Sequence, residues 1–172
     1  MTRTHYFTAS SLDGFIATAD HSLDWLLSQD VDARGPMGYE AFLDGIGALA
    51  MGASTYQWIL DNSGWTYTLP AWVFTHRTFP PPAGEVHFTH DDVATVHGRM
   101  TEAAGGKDVW IVGGGELAGQ FADRGLLDEV WVQYAPVTLG AGAPLLPRRL
   151  DLTLLDTVRN GAFLCGRYAL TR

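Results

Sequence analysis

Two periods of apolar and polar positions alternate along the chain. "THYFTAS" (Thr4 to Ser10) sets aromatic residues among polar ones and reads as a strand. "SLDGFIA" follows, with Asp13–Gly14 as turn chemistry. In "HSLDWLLSQD", Ser22 is placed to cap a short apolar turn. "GYEAFLDGIG" puts Tyr39, Phe42, Leu43 and Ile46 at helical spacing. "ALAMG" is a short buried strand, and "STYQWIL" a helix capped by Ser54 or Thr55.

"AWVFTH" (Ala71 to His76) and "EVHFTH" read as strands, separated by a connection that three prolines keep irregular. "DDVATVHGRMTEAAGG" is a helix with an acidic start and glycine at its end. "DVWIVGGG" has four consecutive apolar residues, as a strand buried on both faces would. "GELAGQFADRG" is a helix, "DEVWVQYAPV" a strand and "TLGAGAPLLP" an extended loop. "LDLTLLDTVRNG" and "AFLCGRYALTR" form a closing antiparallel pair, with Asn160–Gly161 as the hairpin signal. The order β, α, β, α, β, β, α, β, α, β, β, β predicts an α/β fold with a mainly parallel sheet and an antiparallel end. Nothing divides the 172 residues, so one domain, 1–172, is expected.

Composition narrows the function. The chain is 47% hydrophobic and 17% charged, which suits a folded globule. Its net charge of −8 argues against a general nucleic-acid binder and against docking on anionic membranes. No apolar run reaches the ~20 residues of a membrane span. The N-terminal stretch lacks the apolar core of a signal peptide, so a cytoplasmic location is expected. Cys165, the single cysteine, is either a small buried hydrophobe or a reactive thiol. His87 and His90 fall on opposite faces of their strand, and no Cys/His cluster has metal-site spacing, so no metal is expected.

The most informative stretch is "VWIVGGGELAGQF" (Val109 to Phe121). A strand that ends in glycines and feeds a helix start makes an anion site. The bare backbone allows close approach, and the first-turn N–H groups point outward. The alternative is a tight turn without a ligand. The spacing of Gly113, Gly115 and Ala118 also fits a loose dinucleotide fingerprint, but the turn comes two-thirds along the chain. The acidic residue expected ~20 positions later falls near Gln133 and Tyr134, neither acidic. No Gly-Lys-Ser/Thr follows, so the Walker pattern fails as well.

Together, "SLDGFIA", "ALAMGASTY", "WVFTHR", "VWIVGGGELAGQF" and "LLDEVWVQYAPVTLGAGAPLL" resemble the dihydrofolate reductase-like superfamily. The branch they resemble holds the reductase domain of the bifunctional riboflavin-biosynthesis deaminase-reductase and its free-standing relatives. The resemblance implies a three-layer α/β/α sandwich around a mixed, mainly parallel sheet of about eight strands. It implies NADPH across the carboxyl edge of that sheet, a small flat substrate, a cis peptide between Gly113 and Gly114, and a homodimer. The chain's many aromatic rings add to the dimer expectation, because they could leave an apolar patch exposed.

By the same resemblance, Gly113, Gly114, Gly115, Glu116 and Leu117 cradle the pyrophosphate. Gly52, Ser54 and Thr55 meet phosphate and ribose at a second helix start. Thr75, His76 and Arg77 flank the adenosine, and Ala9, Ile16 and Ala17 line the nicotinamide. Ala53 stands where the family commonly has an arginine for the 2′-phosphate, which keeps NADH open as an alternative unless Arg77 substitutes. The acidic pterin ligand of dihydrofolate reductases falls near Pro36, with Glu40 a turn later, so folate is not expected.

Hydride transfer asks the protein for orientation, water exclusion and a proton. Asp13 and Gln133 are the catalytic candidates, and Trp25, Tyr39 and Glu40 the substrate-binding ones. For Asp13 the alternative is an Asp-Gly turn. For Trp25, Tyr39 and Phe42 it is a place in the core.

Overall fold

The computed structural model describes residues 1–171. Eight strands form one sheet: β1 (Thr4–Ser10), β3 (Ile46–Gly52), β4 (Ala71–Phe74), β5 (Val86–Thr89), β6 (Asp108–Gly113), β7 (Glu129–Tyr134), β9 (Leu152–Asn160) and β10 (Phe163–Leu170). Their spatial order is β5-β4-β3-β6-β1-β7-β10-β9. The first six run parallel, and β10 joins β7 antiparallel with β9 outside it. Two short strands, β2 (Phe15–Ala17) and β8 (Ala143–Pro144), pair apart from this sheet.

Strand alternation explains the layers. Ala48, Ala50, Trp72, Val109, Ile111, Val130 and Val132 point to one face. There they meet Val93, Val96 and Met100 of α4 (Val93–Ala103) and Leu117, Ala118 and Phe121 of α5 (Gly115–Asp123). The intervening Leu49, Met51, Ala71, Val73 and Trp110 point the other way, onto Phe42 of α2 (Tyr39–Asp44) and Tyr56 and Ile59 of α3 (Ala53–Asn62). This is an α/β/α sandwich, and both sides of the central strands are buried. A third, smaller cluster holds Ala135, Phe163 and Cys165, with Trp25 and Leu26 of α1 (Asp24–Leu27) against it. Cys165 is fully buried there, and burial raises its thiol pKa, so the inert reading holds.

Two expected caps are placed differently. Helix α3 begins at Ala53 with Gly52 as its cap, so Ser54 and Thr55 lie inside its first turn. Leu23 caps α1, and Ser22 acts one residue earlier, its Oγ accepting from Asp24 N at 3.3 Å. No described helix is long and apolar enough to cross a membrane.

Candidate functional site

The carboxyl ends of β1, β3 and β6 open onto one cleft of about 760 Å³. Strand β6 lies between the other two, so its glycine turn sits at the cleft's centre. Strand ends of this kind are where α/β sheets bind ligands.

The three glycines have three different tasks. A Cβ on Gly113 would stand 3.1 Å from the Thr55 Oγ1, so bare backbone lets α3 approach β6. A Cβ on Gly115 would run into the carbonyl oxygens of Pro144 and Leu145, so this glycine packs the returning loop against α5. Gly114 alone faces open space, with only Ile16 Cδ1 at 3.7 Å. The Gly113–Gly114 peptide is cis. Helix α5 makes its first backbone bond from Ala118 N to Gly114 O, at 3.1 Å. The amides of Gly115, Glu116 and Leu117 precede that bond and form the helix's donor end. Ser54 and Thr55 occupy the matching first turn of α3 on the same cleft wall.

The electrostatics are lopsided. Beside the α5 start, Arg148 clamps Glu116 through two contacts, Nη1 to Oε2 at 3.1 Å and Nη2 to Oε1 at 2.9 Å. Those bonds hold the Glu116 carboxyl below its ordinary pKa. Away from the glycines, the wall is formed by Leu23, Leu26, Trp58, Ile59 and Tyr67. Burial, and then the hydrogen-bonded Tyr39 hydroxyl, push the Tyr67 phenol far above its usual range, so it stays protonated at neutral pH. Among the described residues, no lysine or arginine lines this cleft.

Residues 70–161 match the RibD C-terminal domain model. The Bacillus subtilis protein YwjB is 31% identical over 158 residues, covering 89% of this chain and 87% of that one. The chain belongs to the RibD C-terminal domain family. The riboflavin biosynthesis protein RibD of Corynebacterium ammoniagenes is 28% identical, and the match covers 94% of this chain but 50% of RibD. A crystal structure of a Shewanella sp. PV-4 protein superimposes with a TM-score of 0.83 at 26% identity, covering 99% of both chains. The fold is the dihydrofolate reductase-like one.

Eleven of the expected cofactor residues line the cleft together: Ala9, Ile16, Ala17, Gly52, Ser54, Thr55, Gly113, Gly114, Gly115, Glu116 and Leu117. Thr75, His76 and Arg77 lie beyond its wall, just past Phe74, which does line it. His76 stacks on His90 at 5.2 Å. Arg77 donates to Gln57 Oε1 at 3.2 Å and lies 4.8 Å over the Phe79 ring.

The five catalytic and substrate candidates lie elsewhere, each for a visible reason. Asp13 is exposed and fully engaged: its Oδ1 accepts from Ser11 Oγ at 2.6 Å and Leu139 N at 3.0 Å, and its Oδ2 from Gly140 N at 2.7 Å. It anchors the loop that carries Pro144, so the Asp-Gly turn alternative describes it. Gln133 donates to Met37 O at 3.0 Å and ties β7 to the segment before α2. Trp25 packs in the third core cluster, its Nε1 donating to Ser22 O. Glu40 pairs with exposed Arg34 at 3.1 Å. Tyr39 packs edge-on to Trp110 and reaches the cleft only through Tyr67.

Sequence reading passed over Trp58, Ile59 and Tyr67. Helical spacing on α3 marks Trp58 and Ile59 as core, and Tyr67 sits in an aperiodic segment that gives no signal. Pro144 and Ala143 reach the site because β8 pairs with β2, a two-residue contact below the reach of any pattern.

Proposed function

We propose that this chain is a reductase that uses NADPH to deliver a hydride to a small, flat heterocyclic or conjugated substrate other than folate. The observation that carries the reading is the glycine turn. Gly114 offers its backbone to an open cleft at the donor end of α5, where a Cβ would otherwise intrude. The amides of Gly115, Glu116 and Leu117 would hold the pyrophosphate, with the α3 start taking the neighbouring phosphate or ribose. Ala9, Ile16 and Ala17 would flank the nicotinamide, whose chemistry when bound is hydride donation. Leu23, Leu26, Trp58 and Ile59 exclude water beside it. The Tyr67 hydroxyl, protonated and linked to Tyr39, would donate a hydrogen bond to the substrate's heteroatom.

A second reading, pyrimidine reduction in riboflavin biosynthesis, is favoured by the match to RibD. That substrate carries a ribose phosphate, and a wall without lysine or arginine offers it no cation. A cytoplasmic, homodimeric protein without nucleic-acid partners remains our expectation.

The test is incubation with NADPH and a panel of conjugated carbonyl and heterocyclic acceptors, read as acceptor-dependent loss of NADPH absorbance. Turnover of a neutral acceptor supports the first reading. Turnover confined to phosphoribosyl pyrimidines supports the second. Cofactor binding without turnover across the panel makes the chain a nucleotide-binding module.

A further inference from the structure

The turn between β2 and α1 carries a residue that its backbone does not favour. His21 N donates to Thr18 O at 2.9 Å, and Thr18 N donates to Ser22 O at 3.2 Å. This is the bonding of a tight turn closed by a left-handed residue, a position that glycine normally takes. His21 occupies it with φ of 61°. A β-carbon there crowds the backbone, so the side chain needs a reason to be present. The other such residue among those described, Met37 (φ 52°), has its reason in the fold: it packs on the third core cluster and accepts from Gln133. His21 has no such role. It is exposed, and no described residue holds its imidazole by a hydrogen bond, ion pair or ring contact. The charge beside it is that of Asp20, which accepts from the Thr18 hydroxyl. His21 lines the cleft, as do Ala17 and Leu23 on either side of it.

Reducing a conjugated double bond takes a hydride and a proton. Asp13 and Gln133 are tied up outside the cleft. Within it, the Arg148 clamp keeps Glu116 ionised, and burial keeps the Tyr67 proton in place. Thr8, Ser54, Thr55 and Gln120 add only hydroxyls and an amide. An imidazole is the side chain that gives up and regains a proton near neutral pH.

We propose, on the reductase reading above, that His21 is the proton donor. As hydride adds to one atom of the acceptor's double bond, the π pair moves to the neighbouring atom. The protonated imidazole of His21 gives that atom its N–H proton. The neutral ring then recovers a proton from water, which its exposure allows. Tyr67 keeps its own proton and steadies the acceptor's heteroatom.

His21→Gly and His21→Asn both suit a left-handed position. Each should lower kcat at least about 100-fold with an acceptor that the parent protein reduces. NADPH affinity should stay within about twofold. His21→Gly should melt at or above the parent, because the crowding is gone, and added imidazole should restore much of its turnover. Unchanged kcat overturns the proposal, since water then supplies the proton. A joint loss of NADPH binding overturns it by making the ring a cofactor grip. A lower melting temperature in His21→Gly overturns it by making the ring a packing group, and so does a loss of turnover that imidazole does not restore. A parent protein that binds NADPH but reduces no acceptor instead overturns the reductase reading, and the proposal with it.

Discussion

Arg148 and Glu116 are locked together at the mouth of α5. Two guanidinium nitrogens face the two carboxylate oxygens, while the Arg148 Nε is 3.0 Å from both oxygens of Asp123. Glu116 would otherwise place an unneutralised charge where an anionic ligand should bind. Charges at helix ends are worth ~0.3–1 kcal/mol, or about 2–5-fold in affinity. Arg148→Ala should weaken NADPH binding by that factor, and Glu116→Gln should strengthen it. Calorimetric titration at low and high salt checks this, and the differences should shrink as salt rises.

Asp13 gives a pH signature. Its hydrogen bonds from Ser11, Leu139 and Gly140 draw its pKa from 3.8 to about 2. A folded pKa below the unfolded one means that its contribution is present above 3.8 and fades as the pH falls through about 2. The parent protein should therefore melt above Asp13→Asn at pH near neutrality, and the gap should close as the solution is acidified toward that range. A gap that stays constant with pH would show that the carboxylate charge does not hold the loop.

Gly115 is a packing glycine. Alanine there collides with backbone at Pro144 and Leu145, which cannot rotate away. Overpacking of this kind costs ~1–3 kcal/mol. Gly115→Ala should lower the midpoint of urea unfolding accordingly, whether or not cofactor is present.

Most of the architecture was legible in the sequence because it is periodic. The alternation that sends Leu49 and Met51 one way and Ala48 and Ala50 the other is the same one that makes "ALAMG" read as a buried strand. The glycine turn was legible too, because three consecutive glycines are costly unless backbone must be bare. Sequence alone did not separate their tasks. That depends on Thr55 and the Pro144–Leu145 segment, which arrive from distant parts of the chain. The substrate side was the least legible. Asp13, Gln133, Trp25 and Glu40 are polar or aromatic residues near the right strands, yet each is taken up by partners that do not line the cleft. Tyr67 reaches the cleft from a segment without pattern.

The proposed preference for NADPH over NADH is a test of Arg77. Ala53 brings no cation to the α3 start, and Arg77 lies against Gln57 of that same helix. If Arg77 turns onto a 2′-phosphate, the charge-assisted pair is worth ~1.5–3 kcal/mol, or about 10–150-fold. NADPH should then bind more tightly than NADH by that factor. Arg77→Ala should erase the preference and leave NADH affinity nearly unchanged. Equal affinities in the parent protein would make Arg77 a solvated surface charge.

The central claim is that Gly114 is bare so that a dinucleotide can lie against it. Titrating NADPH into the parent protein and into Gly114→Ala, with energy transfer from tryptophan to the nicotinamide as the signal, tests it directly. An alanine Cβ would meet nothing nearer than Ile16 Cδ1 at 3.7 Å, so the variant should melt within a few degrees of the parent. We expect saturable binding to the parent and at least about tenfold weaker binding to the variant. A folded parent protein that binds no NADPH, or a variant that binds it equally well, would contradict the account.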